Sequence, residues 1–209
     1  MIAPPERSPE RDAAMDAMLP HVPFDGWTKR ALRLGLADVG MPMDEAELLF
    51  PGGAPDMVEA FCDLADRRME AAAAALTETR VTARVRAIVA LRFEQNRPHR
   101  EAVRRGLAVL ALPGRARVAT ACTARTVDAI WHAAGDRSAD FSWYTKRAIL
   151  TGVYGATLLF WLNDSSEDQS ATLAFVDRRL AAVGRIGGLR RRGEAMLGRF
   201  LPGNLGRSA

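Results

Sequence analysis

Apolar residues recur along the chain at spacings of three and four, the period of an α-helix, and no stretch alternates as a half-buried strand would. The spacing predicts helices over 11–21, 27–39, 43–50, 54–77, 82–97, 98–112, 114–134 and 142–162, and from 169 to about 191. Gly40, Pro51-Gly52-Gly53, Pro113-Gly114, Gly135-Asp136 and Asp164-Ser165-Ser166 are the expected joints. Pro98 suits a first helical turn, and the five alanines from 71 to 75 reflect helix propensity. On the helix over 54–77, Met57, Val58, Phe61, Leu64, Ala65 and Arg68 are spaced for one buried face.

The stretch 140–164, DFSWYTKRAILTGVYGATLLFWLND, is the most distinctive. Asp140 or Ser142 can cap it, and positions 148–162 carry no charge. One stripe holds Trp143, Arg147, Leu150, Tyr154, Leu158 and Trp161, and a second holds Ile149, Val153, Ala156 and Phe160. A helix apolar all round is buried in protein or lipid, and a bilayer span takes roughly 20 such residues. This run is too short to span, and it reads as a central helix with an aromatic-basic start. Gly152, Gly155 and Ala156 permit close helix approach, within the bundle or across a dimer. Phe160 and Phe175 read as core.

Charge changes the picture only at the C-terminal end. The chain has 29 Lys and Arg, of which only Lys29 and Lys146 are lysine. Positions 178–209 carry eight arginines against Glu194, a net +7 that leaves −3 of the chain's +4 for residues 1–177. In the tail, Leu189, Met196, Leu197, Phe200 and Leu201 share a helical face, while Arg190, Arg191, Arg192 and Arg199 fall mostly elsewhere. A basic amphipathic helix of this kind binds an anionic membrane surface. The alternatives are a helix docked on the body and a disordered basic tail, since Gly187, Gly188, Gly193 and Gly198 weaken helix formation. Cys62 and Cys122 are too few for a disulfide framework and read as buried hydrophobes in a reducing cytoplasm. The first residues lack an apolar h-region and carry Glu6, Glu10 and Asp12, which suits neither a secretory signal nor an acid-poor transit peptide. Disorder is expected through Pro9.

Catalytic signals are absent from the sequence. His21, His99 and His132 lack the Glu-x-x-His pattern of di-iron bundles, and Asp128 with His132 offers two metal ligands at most. No Gly-rich phosphate loop, nucleophile elbow or Cys–His signature occurs. The expectation is a protein that is not an enzyme, with no metal and no cofactor.

Two resemblances extend this reading. Three short helices, a long one and a larger bundle resemble TetR-type regulators, with Ala37, Gly40, Leu49, Phe50, Val58 and Phe61 at matching positions. This implies an all-α, TetR-like bundle of about nine helices with a helix-turn-helix-like head at 1–55. A DNA-binding head needs cations at its second helix. Here that start is Met43, Asp44, Glu45, Ala46 and Glu47, and no Lys or Arg lies between 41 and 57. No nucleic-acid partner is expected; the alternative function is a TetR-family regulator that binds DNA and a small apolar ligand.

WYTKR, then GVY, then a closing ND-S, followed by Asp168, Thr172, Phe175, Asp177, Arg178 and Arg179, resembles the lipid-binding accessory proteins of coenzyme Q (ubiquinone) biosynthesis, the ninth in the yeast naming of that pathway. The likeness covers most of the chain, less before Trp27 and after Arg185. Leu158 stands where the family usually has an acid, and Leu173 where it usually has Trp. The resemblance implies a non-catalytic protein that presents a polyprenylated quinone intermediate to a membrane-associated hydroxylase. It implies a lipid-binding and dimerisation body at 56–185, with Leu150, Tyr154, Leu158 and Trp161 against an isoprenoid quinone or other lipid. Trp143 and Tyr144 match the family's hydroxylase-engaging aromatic pair, with Arg147 their neighbour; a staple at the helix start is the other reading of the pair. The tail at 186–209 would bind the membrane. The expected form is a homodimer, cytoplasmic and peripheral on the inner face of a bacterial inner membrane.

Overall fold

A computed structural model describes residues 3–136 and 142–183. Among them every regular element is helical: α1 (Pro9–Met18), α2 (Val22–Asp25), α3 (Lys29–Asp38), α4 (Ala46–Leu49), α5 (Ala54–Ala73), α6 (Val81–Asn96), α7 (Arg100–Leu110), α8 (Ala116–Ala133), α9 (Ser142–Trp161) and α10, described over 170–183. The all-α expectation holds. No helix among the described residues is long and apolar enough to cross a membrane.

Local chemistry sets the boundaries. Ser8 accepts from the Arg11 amide and starts α1 at Pro9, and Thr28 accepts from the Ala31 amide and starts α3 at Lys29. The expected disorder through Pro9 is corrected: Arg7 pairs with Asp63 at 2.6 Å. The single turn α2 falls where Pro23 was expected to interrupt; proline is tolerated in a first turn, where its missing N–H has no partner to lose. The helix expected over 43–50 is a 3-10 turn (Met43–Glu45) followed by α4. α5 ends at Ala73, four residues early. There the Arg84 guanidinium gathers the carbonyls of Ala73 and Leu76, with Ala133 from the end of α8, so one cation serves two helix C-termini.

Two apolar clusters share α5. The first joins Ala14, Met15, Met18, Ala31, Leu32, Leu36 and Phe50 to Met57, Val58, Phe61 and Leu64. α1 crosses α3 so closely that a Cβ at Gly35 would lie 2.5 Å from the Ala17 carbonyl oxygen. Carboxylates on α1 meet α5 through Asp12–Arg67 and Asp16–Arg68, both at 2.6 Å. Arg68 is therefore exposed, and Met69 takes the buried place expected for it. The second cluster joins Met69 and Ala73 to Val85, Ile88, Val89, Phe93, Val127, Ile130, Leu150, Tyr154, Trp161 and Val176.

An ion pair is buried beside this second cluster. The Arg92 guanidinium on α6 lies 3.1 Å from Asp66 Oδ1 on α5, and Thr126 Oγ1 on α8 donates to Asp66 Oδ2 at 3.0 Å. Burial pushes the Asp66 carboxyl up to about 6 although Arg92 opposes it.

The α9–α10 joint is closed by Asp164. Its Oδ1 accepts from the Ser166 amide at 2.8 Å and its Oδ2 from the Thr172 amide and hydroxyl at 2.9 and 2.6 Å. These bonds hold its carboxyl at about 2, against the burial that opposes them. Asp168 accepts from the Ser170 amide, Phe175 stacks on Phe160 at 4.6 Å, and Asp177 pairs with Arg86 on α6.

Two carboxylates therefore titrate in opposite senses. Asp164 stabilises the fold above its ordinary pKa of 3.8, and that stability is lost as pH falls toward 2. Replacing Asp164 by Ala is expected to cost about 1–2 kcal/mol in urea unfolding at neutral pH, the range for losing a helix-capping acceptor, and to flatten the loss of stability below pH 4. Asp66 binds its proton more tightly when folded, so its contribution makes stability fall as pH rises from about 4 to about 6. Carboxyl NMR of the native protein is expected to give Asp66 a midpoint near 6; a midpoint at the ordinary 3.8 would contradict its burial.

Candidate functional site

Three features of the helical body from α5 onward are candidates for chemistry or binding. The first is the start of α9. Trp143 and Tyr144 meet edge to face with ring centroids 4.8 Å apart, and the Arg147 guanidinium lies 3.8 Å over the Trp143 ring. Arg147 is held from below by an ion pair with Asp128 on α8, with Asp136 at 3.9 Å. Lys146 pairs with Asp136 at 2.8 Å and sits 5.7 Å from the Trp131 ring. Tyr144 is 68% exposed. The structure thus brings Trp143, Tyr144 and Arg147 into one surface patch with both cations engaged from beneath.

α9 is not buried all round in this chain. Below the patch its outer face leaves Ile149 and Leu159 exposed, and Gly152 and Gly155 face open space. The glycines therefore serve no close approach within the described bundle.

The second feature is a cavity of about 70 Å³ between α5, α6, α7, α8 and α9. Phe61, Val103, Leu107, Leu110, Tyr154 and Leu158 give it an apolar wall, and Cys62, Cys122, Thr126 and Arg92 a polar one. The cysteines are free thiols. Contact with Cys122, together with burial, pushes the Cys62 thiol well up, and burial pushes the Tyr154 phenol up. The third feature is a larger groove of about 340 Å³ between α6 and α10, floored by Ala87, Ala90, Leu91, Phe93 and Leu173 and edged by Arg86, Glu94 and Asp168.

The four expected lipid residues are thereby divided. Tyr154 and Leu158 line the cavity. Leu150 and Trp161 are core: Trp161 is fully buried, its indole N–H bonded to Gln169, and Phe93 packs 5.3 Å from its ring. The tail residues Leu189, Arg190, Arg191, Arg192, Met196, Leu197, Arg199 and Phe200 lie outside the described residues. Asp128 and His132 do not converge: Asp128 holds Arg147, and His132 faces Glu70 at 3.0 Å. No group of three metal-ligating side chains occurs among the described residues. In the head, Glu47 pairs with both Lys29 and Arg33, so two α3 cations are drawn to an acid.

Sequence reasoning passed over Arg92, Asp66 and the two cysteines as a group. A signal was present: Asp66 interrupts the stripe Cys62–Met69–Ala73, and Arg92 the stripe Val85–Ile88–Val89–Asn96. A charge inside a buried stripe calls for a partner.

Comparison with known proteins follows the same lines. A solved structure of a TetR transcriptional regulator from Nitrosomonas europaea matches with a TM-score of 0.66 over 84% of this chain and 98% of that one, at 22% identity. At that identity the likeness speaks to the fold, which is TetR-like. Residues 116–187, from α8 onward, match the COQ9 family model. The mitochondrial ubiquinone biosynthesis protein COQ9-A of Xenopus laevis is 31% identical over 181 residues, 83% of this chain and 57% of that protein. The human COQ9 protein is 30% identical over 175 residues, 79% of this chain and 55% of its own length. The chain thus spans just over half the length of these relatives. The Schizosaccharomyces pombe protein is 30% identical over 177 residues, 84% of this chain and 70% of its own length. With the match beginning in α8, running through the aromatic-basic start of α9 and including the Asp164-locked joint, the chain belongs to the COQ9 family.

Proposed function

We propose that this protein is a non-catalytic, lipid-binding accessory factor of ubiquinone biosynthesis. It presents a polyprenylated quinone intermediate to a membrane-associated hydroxylase. Family membership supports the pathway, since the relatives bear ubiquinone biosynthesis names. The observation that carries the mechanism is the Trp143–Tyr144–Arg147 patch beside the exposed apolar face of α9. An edge-to-face aromatic pair with an arginine, its ion-pair partner lying beneath it, is a ready anchor for a protein partner. The exposed Ile149 and Leu159 extend that anchor into an apolar surface.

The division of labour follows from solvation. Each CH₂ moved from oil to water costs about 0.8 kcal/mol, so a long isoprenoid does not leave a bilayer unaided. An apolar protein surface held at the interface lowers that cost without making bonds. At about 70 Å³ the cavity is well below the roughly 300–1,000 Å³ of ligand pockets, so the isoprenoid chain is shielded along a surface rather than swallowed. The groove between α6 and α10 is within that range. The basic tail at 186–209 supplies the membrane contact, peripheral on the inner face of a bacterial inner membrane, and a homodimer pairs two such surfaces.

Two measurements test the reading. Replacing Trp143 by Ser is expected to abolish pull-down of the partner hydroxylase and leave the thermal midpoint within a few degrees of the parent; undiminished capture removes the patch from the mechanism. Co-sedimentation with anionic liposomes is expected to fall at least tenfold on deletion of 186–209, since each lost cation near the surface is worth about 1 kcal/mol. Equal binding by both forms removes the tail from it.

A further inference from the structure

We propose that Cys62 on α5 and Cys122 on α8 form a dithiol oxidised by hydroperoxides, a reversible modification site that clamps the two helices together. The site needs neither a bound lipid nor the partner hydroxylase.

Helix register places the two thiols opposite one another. α5 and α8 run parallel: the side-chain bonds Glu59–Arg125 at 2.6 Å, Asp66–Thr126 at 3.0 Å and Glu70–His132 at 3.0 Å advance together along both helices. Cys62 lies one turn before Asp66, and Cys122 one turn before Thr126. Residues four apart share a helical face, so the Asp66–Thr126 bond aligns the cysteines. Both are free thiols, and they meet in the wall of the small cavity.

The surroundings divide the roles. Arg125 Nη2 lies 3.8 Å from Cys122 Sγ. Contact with Cys62, aided by this cation, draws the Cys122 thiol down against burial and against Glu59 and Asp66. The same contact, with burial, pushes the Cys62 thiol up, so Cys62 keeps its proton. Cys122 is thus the nucleophile and Cys62 the resolving thiol. A cavity of about 70 Å³ admits a few molecules of water size, and hydrogen peroxide is little larger.

The Cys122 thiolate attacks one peroxide oxygen. The O–O bond breaks, the departing hydroxide takes up the proton Cys122 had released, and Cys122 becomes a sulfenic acid. The Cys62 sulfur then attacks Cys122 Sγ. An S–S bond forms as the S–O bond breaks, and the Cys62 proton leaves with the hydroxide as water. Two thiols lose two electrons, and one peroxide becomes two waters. A small dithiol reverses the bridge by exchange. Transient bridges of this kind suit a chain with two cysteines in a reducing compartment.

The test exposes the reduced, full-length protein to hydrogen peroxide and follows it by intact-mass spectrometry and peptide mapping. The expected product is lighter by about 2 Da, carries a Cys62–Cys122 link within one chain, and returns to the starting mass with dithiothreitol. Its thermal midpoint is expected to rise by several degrees, because the bridge restrains the unfolded chain. In Cys62→Ser, Cys122 is expected to stop one oxygen heavier and to be captured by dimedone; Cys122→Ser is expected to react at least tenfold more slowly. An unchanged mass, thiols carrying two or three oxygens without a link, or links only between two copies of the chain overturns the proposal. These readouts come from the unsubstituted protein, so they decide even where a serine variant fails to fold. An unchanged midpoint overturns the clamp, and equal reaction of the two variants overturns Cys122 as the nucleophile.

Discussion

The second core is organised around one buried interaction, the Asp66–Arg92 ion pair between α5 and α6. Burying two charges costs more than their attraction returns unless the remaining donors and acceptors are met. Thr126 on α8 meets one oxygen of Asp66, and the raised carboxyl shows that burial still outweighs its partners. α5, α6 and α8 are therefore fixed around a polar point that apolar packing alone would not place there. The cavity opens beside that point, with Tyr154 and Leu158 of α9 as its far wall.

Around this point the chain relies on arginine at helix ends and interfaces. Arg84 gathers the carbonyl ends of α5 and α8, while Arg100 and Arg104 donate to the carbonyls of Asp164 and Leu162 after α9. A planar fork with five donors suits this work better than a lysine ammonium, which fits a chain with two lysines and many arginines. α9 is thus held at its inner face, and by Arg147 through Asp128 near its start, while its outer apolar face is left open.

Much of the fold was legible because helices bury stripes at a fixed period. The long segments α5, α6, α8 and α9 repeat that period several times, and their placement followed. α2 and the 3-10 turn before α4 are too short to show a period, and Pro23 hid α2. The early end of α5 depends on Arg84 and Ala133, which lie in other elements. The candidate site was legible where its residues are neighbours in sequence: Trp143, Tyr144 and Arg147 do form one patch. The stripe Leu150, Tyr154, Leu158 and Trp161 told which side of α9 faces inward, but not what it meets. Gln169 and Phe93 take Trp161 into the core, and only Tyr154 and Leu158 reach the cavity. Asp66 and Arg92 lie on separate helices, so neither stripe alone shows their pairing.

The central claim is that the body receives a lipid without transforming it. Native mass spectrometry of the full-length protein, isolated from its host without detergent, tests this most directly. The account predicts a protein population carrying an added mass that dissociates as an intact isoprenoid quinone or related lipid. A spectrum of ligand-free protein alone, unchanged after incubation with quinone-containing vesicles, would contradict it.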